Sequence, residues 1–350
     1  MSDSRNSKLK KLIEENISSL TWRPRFPNHT GYTGNLSQNI KTTSELKMLQ
    51  GTKNAGLENL ALPVEILSIV VLDMDLAAIF SFRSYAQDIV DNVSEYKAIM
   101  THAPNAYGAV LNSGRAHDVT LRTLYAVLTS PKCTRCSDYG CYIYLHTLQR
   151  VCYRCTRESN DFLPITYPQA KEWFDLSDDI LRQMPRTLSC PHSGLGRLDM
   201  AMSARILLLH GPEVRKAAIE RHGSEDAVRD VYNASVSRIY RRMVEGFSQR
   251  RREEAFDTVV VGDTYRIYNG HYRKELRCYG TVRAPWIEHR KDRAEVGVAC
   301  VCEKDPVGPR VQGYPNPFRM FTEAMFVEHA MECSEAKEEL ERVLRTRRAT

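Results

Sequence analysis

Four cysteines near the middle of the chain constrain its folding more than any other feature. Lys132-Cys133-Thr-Arg-Cys136 and Cys152-Tyr-Arg-Cys155 are two Cys-x-x-Cys pairs separated by fifteen residues. One such pair grips one face of a tetrahedral cation and a second pair closes the other. The N-terminal Met-Ser-Asp-Ser-Arg-Asn-Ser-Lys lacks the apolar core of a signal peptide. A reducing compartment is therefore expected, and there paired cysteines read as metal ligands rather than bridges. The expectation is a structural zinc site formed by Cys133, Cys136, Cys152 and Cys155. Two disulfides, or thiols that are simply buried, are the alternatives. Cys141 is a spare thiol able to replace one of the four. Gly140 is placed to supply a tight turn after the first pair. Between the pairs, Ile143 and Leu145 alternate with Tyr142 and Tyr144 like a short strand.

A second candidate set lies near the C-terminus. Val296-Gly-Val-Ala-Cys300-Val-Cys302 ends a strand-like run, and a final helix carries Phe321, Ala324, Met325, Glu328, His329 and Cys333. His329 and Cys333 stand at i, i+4 and so face one side. Cys300, Cys302, His329 and Cys333 can together hold a second zinc; the alternative is a core thiol cluster with a hydrogen-bonded histidine.

The net charge of +6 is uneven, because residues 1–56 carry +5 of it. The body is close to neutral, so a nucleic-acid footprint there is weak. Arg238, Arg241, Arg242 and Arg250–Arg252 are interleaved with Glu245, Glu253 and Glu254 and read as a solvated helical face. No apolar run approaches the roughly eighteen residues of a membrane span. The chain is expected in the cytoplasm, the nucleus or both, with no membrane partner.

In chain order, residues 1–56 read as a disordered basic tail, within which Leu9, Leu12, Ile13 and Ile17 can form one short amphipathic helix. Order begins at Leu57. Leu60-Ala-Leu62-Pro63-Val-Glu65-Ile66-Leu67 opens a helix, with Pro63 in its first turn and Glu65 at its positive end. Ile66, Leu67, Val70 and Val71 form its apolar stripe. A second helix is expected near Asp75 with Leu76, Ile79 and Phe80, and a third across Ile89, Val90, Val93 and Tyr96. Residues 105–160 hold a linker helix and the cysteine segment, and 161–256 are mainly helical, with Ser177 as a candidate cap. Residues 257–350 supply strands and the final helix; Tyr265–Tyr268, Asn269-Gly270 and His271–Lys274 carry a hairpin signal. The expected fold class is α+β, mainly helical: an N-terminal three-helix unit followed by a zinc-stapled mixed domain.

The stretch Leu60-x-Leu62-Pro63-x-Glu65-Ile66-Leu67, with the following aliphatic pattern and Phe82-Arg83, resembles an F-box. Past it, Tyr96-Lys-Ala-Ile, His102-Ala-Pro104, Leu121-Arg-Thr-Leu-Tyr125-Ala-Val-Leu128 and the cysteine pairs resemble a group of fungal F-box proteins with a cysteine-rich segment. The likeness covers roughly residues 57–190 and recurs near 296–335. Many F-boxes carry a Trp near the end of the third helix, where this chain has Tyr96. The resemblance implies a substrate-recruiting subunit of a cullin–RING ubiquitin ligase. Leu60, Leu62, Pro63, Glu65, Ile66, Leu67, Leu76 and Ile79 would contact the Skp adaptor, and the remainder would hold an unknown protein target. Nucleotide-loop, serine-hydrolase and zinc-protease signatures are absent from the sequence, so a non-catalytic role is expected. A zinc-dependent nucleic-acid-binding regulator and an interaction scaffold with a degenerate F-box are the competing expectations.

Overall fold

The structure, a computed structural model, describes residues 2–22, 63–189, 206–244, 280–289, 292–303 and 319–349. Leu60, Leu62, the 265–274 hairpin signal and Arg250–Arg252 lie outside the described residues. The architecture is mixed α+β and mainly helical, with small antiparallel sheets.

The chain begins with α1 (Ser2–Glu15), α2 (Ile17–Leu20) and β1 (Thr21–Trp22). The apolar stripe read at Leu9–Ile17 does form helix, but it is not a loose tail. Ile13 and Leu20 are buried in a cluster with Val298, Phe321, Phe326, Val327, Ala336 and Leu340 from the other end of the chain.

Short helices follow: α3 (Val64–Asp73), α4 (Leu76–Phe82), α5 (Gln87–Asn92), α6 (Ser94–His102), α7 (Pro104–Asn112) and α8 (Leu121–Thr129). Pro63 sits at the N-cap of α3, and Asp75 caps α4 by accepting a 2.8 Å hydrogen bond from Ala78 N. The third expected helix divides at Val93, which is extended with φ −66° and ψ 120°. These helices do not form an independent unit. Their core, with Val71, Leu76, Ile79, Val90, Tyr96, Ile99 and Leu124, continues into Ile143, Leu145, Val282 and Ile287 of the sheet region.

That region holds β2 (Tyr142–Tyr144) and β3 (Gln149–Val151), then α9 (Tyr153–Glu158). Next come β4 (Pro164–Thr166), α10 (Tyr167–Phe174), α11 (Asp178–Gln183), β5 (Arg186–Leu188), β6 (Leu207–His210), α12 (Gly211–His222) and α13 (Glu225–Val244). Sequence periodicity missed the sheet β4-β6-β5, whose strands are three or four residues long. Thr166 and Gln169 form a reciprocal capping box on α10. Ser177 stands at the N-cap of α11, but its side chain makes no capping hydrogen bond. The helix expected from residue 212 breaks at Gly223, which takes φ +89° to end α12.

The last elements are β7 (Thr281–Arg283), β8 (Trp286–Glu288), β9 (Arg293–Glu295), β10 (Ala299–Cys300), α14 (Glu323–Ala330) and α15 (Ser334–Ala349). β7 pairs with β2 to give the central sheet β3-β2-β7. Alternation along β2 separates two cores rather than core from solvent. Ile143 faces the helical core with Leu145, which follows the strand, while Tyr142 and Tyr144 join the cluster of Cys133, Val151, Cys152, Cys155, Phe162, Ala299 and Met320. Both faces of the strand are thus buried, so it serves as a partition.

Candidate metal centres

The first Cys-x-x-Cys pair is folded by backbone hydrogen bonds around a tight turn. Cys133 N donates to Asp138 O (2.7 Å), Ser137 N to Cys133 O (3.1 Å) and Gly140 N to Pro131 O (2.8 Å). The left-handed residue of this turn is Ser137, with φ 63°, and not Gly140. Gly140 is needed for close approach instead, since a Cβ there would come within 2.7 Å of Arg150 Cγ and 3.2 Å of Cys133 N. Thr134 N donates to Arg150 O (2.9 Å), which fastens the turn to β3. The second pair opens α9: Cys152 is its N-cap, and its Sγ accepts a 3.3 Å hydrogen bond from Cys155 N.

The sulfurs of Cys133, Cys136, Cys152 and Cys155 all lie within 4.8 Å of one another. Around a tetrahedral zinc with Zn–S about 2.3 Å, neighbouring sulfurs are roughly 3.8 Å apart. Cys136 Sγ and Cys152 Sγ are 3.5 Å apart, far beyond the about 2.05 Å of a disulfide. Each of the eight described cysteines is free. Cys141 lies outside the donor set and is fully buried, which pushes its thiol up to about 12.

Without a cation the four sulfurs compete for protons. The hydrogen bond from Cys152 draws the Cys133 thiol well below its usual range, helped by the backbone N–H groups of Cys136 and Arg135. Cys152 is pushed up by that same bond and by burial. Burial and the neighbouring Cys133 charge push Cys155 up to about 12. A divalent cation would displace the remaining protons, so its affinity falls in acid.

The C-terminal set also assembles, with ligand atoms of Cys300, Cys302, His329 and Cys333 within 4.8 Å of one another. Cys300 Sγ lies 3.9 Å from Cys333 Sγ, and Cys302 Sγ lies 3.6 Å from His329 Nε2. A tetrahedral site with Zn–N about 2.05 Å and Zn–S about 2.3 Å places N and S about 3.6 Å apart. The helix expected through Cys333 ends at Ala330, yet Cys333 N still donates to His329 O at 2.9 Å, so the i, i+4 relation survives the break. His329 stacks on Phe321, with ring centres 4.6 Å apart and an interplanar angle of 22°. Burial and the Arg319 charge lower its pKa, which favours the neutral imidazole that binds metals. Burial raises the thiols of Cys300 and Cys302. Both sets fit a tetrahedral cation, and neither donor set leaves a position that needs a further ligand.

The residues expected to meet an adaptor divide sharply. Pro63 and Glu65 are exposed, Ile66 is 45% exposed and Leu67 is half-buried. Leu76 and Ile79 are 0% exposed and belong to the chain's own core, so they offer no docking surface. Sequence reasoning missed Ile69 as a surface residue and placed Val70 only in the apolar stripe; they are 52% and 50% exposed. The i, i+3, i+4 spacing of Ile66, Ile69 and Val70 was the available signal. Among the described residues no helix is long and apolar enough to cross a membrane. Compared with known proteins, the chain matches no family model, no curated protein and no solved structure.

Proposed function

We propose that this chain is a zinc-stapled, non-catalytic recruiting subunit of a cullin–RING ubiquitin ligase, docked on the Skp adaptor by the outer face of α3. The observation that carries this reading is the exposed face formed by Ile66, Ile69 and Val70, directly after the F-box-like Leu-Pro stretch. Three aliphatic side chains on one helical face are costly to leave in water, since full burial of each is worth about 1.5–3 kcal/mol. The adaptor contact therefore consists of Pro63, Ile66, Leu67, Ile69 and Val70. Leu76 and Ile79 brace α4 behind it.

Zinc suits both donor sets, one of four thiolates and one of three thiolates with an imidazole. A closed set of four protein ligands is structural, so the metals hold shape and perform no chemistry. The remainder of the chain holds a protein target in the cytoplasm or nucleus, and transfer of ubiquitin belongs to other subunits. Co-expression with the Skp adaptor tests this reading. The wild-type chain should co-purify with the adaptor, and Ile69→Asp with Val70→Asp should abolish capture while leaving the chain soluble and folded. Failure of the wild type to bind, or undiminished binding by the double variant, overturns it.

A further inference from the structure

The two metal centres meet at one loop. Asp138 lies two residues past Cys136, and its side chain is 11% exposed. It accepts hydrogen bonds from Arg319 at 2.7 Å and from Arg154, in the second pair's helix, at 3.5 Å. The Arg319 guanidinium stands 5.2 Å from the centre of the Phe321 ring, which in turn stacks on His329. The next residue of the loop makes a second connection. Tyr139 Oη donates to Glu295 O at 2.7 Å, and its ring packs over Gly297. Gly297 takes φ +79°, and a Cβ there would come within 2.8 Å of Tyr139 Cδ1 and 3.1 Å of Met320 Cε. One residue on, Val298 N donates to Phe321 O (2.9 Å) and Phe321 N to Val298 O (2.8 Å). Cys300 follows at the end of this paired platform.

Both segments that deliver the second donor set thus rest on residues 138 and 139. Asp138 O accepts from Cys133 N at 2.7 Å, so the Cys133–Cys136 turn sets where those residues stand. We propose that this loop couples the centres: a cation held by Cys133, Cys136, Cys152 and Cys155 raises the affinity of the Cys300, Cys302, His329 and Cys333 set, and the reverse. The inference rests on both sets binding a metal. With the first site filled, the platform is already ordered when the second cation arrives; with it empty, the second cation must order the platform itself. Shielding makes the Asp138–Arg319 contact matter more than an open surface pair would. Linkage requires the same factor in both directions, and about tenfold lies within the usual 5–150-fold range.

Cobalt(II) titration of the metal-free, reduced full-length chain is the test, because four-thiolate and three-thiolate–imidazole sets absorb at different wavelengths and are read separately. Cys136→Ser should lower cobalt affinity at the C-terminal set about tenfold, and Cys333→Ser should lower it at the central set by the same factor. Asp138→Asn keeps all eight ligands and should weaken the C-terminal set in the direction of Cys136→Ser. That variant decides the matter if Cys136→Ser does not fold. Affinities at the C-terminal set that agree within twofold for the wild type and Asp138→Asn overturn the coupling, even when both bands appear. Absence of both bands in the wild type overturns the metal reading, and the coupling with it.

Discussion

The central and C-terminal donor sets use nearly the same ligands but are built in opposite ways. The central set draws four cysteines from twenty-three consecutive residues, shaped by a tight turn and a helix N-terminus, and lies against a sheet with a core on each side. The C-terminal set joins two segments whose near ends, Cys302 and His329, stand twenty-seven residues apart, supported by a two-residue strand that β1 pairs from the opposite end of the chain, Thr21 with Cys300 and Trp22 with Ala299. Embedding, and not ligand chemistry, therefore decides what a cation at each set would hold up. Loss of the first should spread into the body, and loss of the second should release the chain ends.

Cys152→Ser should have the largest effect. It removes a ligand while its hydroxyl can still cap the helix, so the loss reads the metal alone, at a site type worth an apparent ~10–16 kcal/mol in small domains. Whole domains are typically stable by only ~5–15 kcal/mol. Because Ile143 and Leu145 belong to the helical core, the damage should reach α3–α8 and not stop at the cysteine segment. Limited trypsin digestion should show new cleavage after Arg135 and Arg154, together with loss of helical circular dichroism. A chain that keeps its helical signal while the segment is cut would break the contrast.

A second difference is pH-dependent. Beside the central sheet, His146 hydrogen-bonds through Nδ1 to Thr187 Oγ1 (2.9 Å) and stacks on His210, with ring centres 6.0 Å apart. Burial, reinforced by the neighbouring His210 and Arg115 charges, lowers its pKa to about 3. The unfolded chain takes up this proton near pH 6.5 while the folded chain does not. Stability from neutral His146 is therefore complete above about pH 6.5 and is lost as pH falls toward 3. Between pH 7 and pH 5 the loss is about 2 kcal/mol. Unfolding free energies from denaturant titrations at the two pH values should converge in His146→Gln by roughly that amount. An unchanged pH dependence would show that the histidine is not held neutral.

Cys333→Ser should do least to the body, lowering its stability by about 1.4 kcal/mol, the equivalent of a tenfold weaker central set. Hydrogen exchange should instead accelerate across residues 2–22 and 323–349, whose apolar cluster closes over the C-terminal set. Equal acceleration in β2 and β3 would remove the distinction between the centres.

The central donor set was legible in the sequence because its spacing is local. The C-terminal ligands were legible in part, since i, i+4 spacing survives a helix break, whereas pairing of Thr21–Trp22 with Ala299–Cys300 leaves no pattern in two residues. Apolar character alone could not tell Leu76 and Ile79, which the chain buries itself, from Ile66, Ile69 and Val70, which it leaves exposed. Gly140 illustrates a further limit: glycine marked the region, but crowding by Arg150 and not a turn is what requires it. Asp138 and Arg319 carry the link between centres across 181 residues, a separation at which no spacing rule applies.

Native mass spectrometry of the full chain, expressed with zinc and kept reduced, tests the central claim most directly. The account predicts two zinc ions in the wild type, one in Cys152→Ser, one in Cys333→Ser and none in the double variant. A wild-type mass without metal, or a metal count unaffected by either substitution, would contradict it.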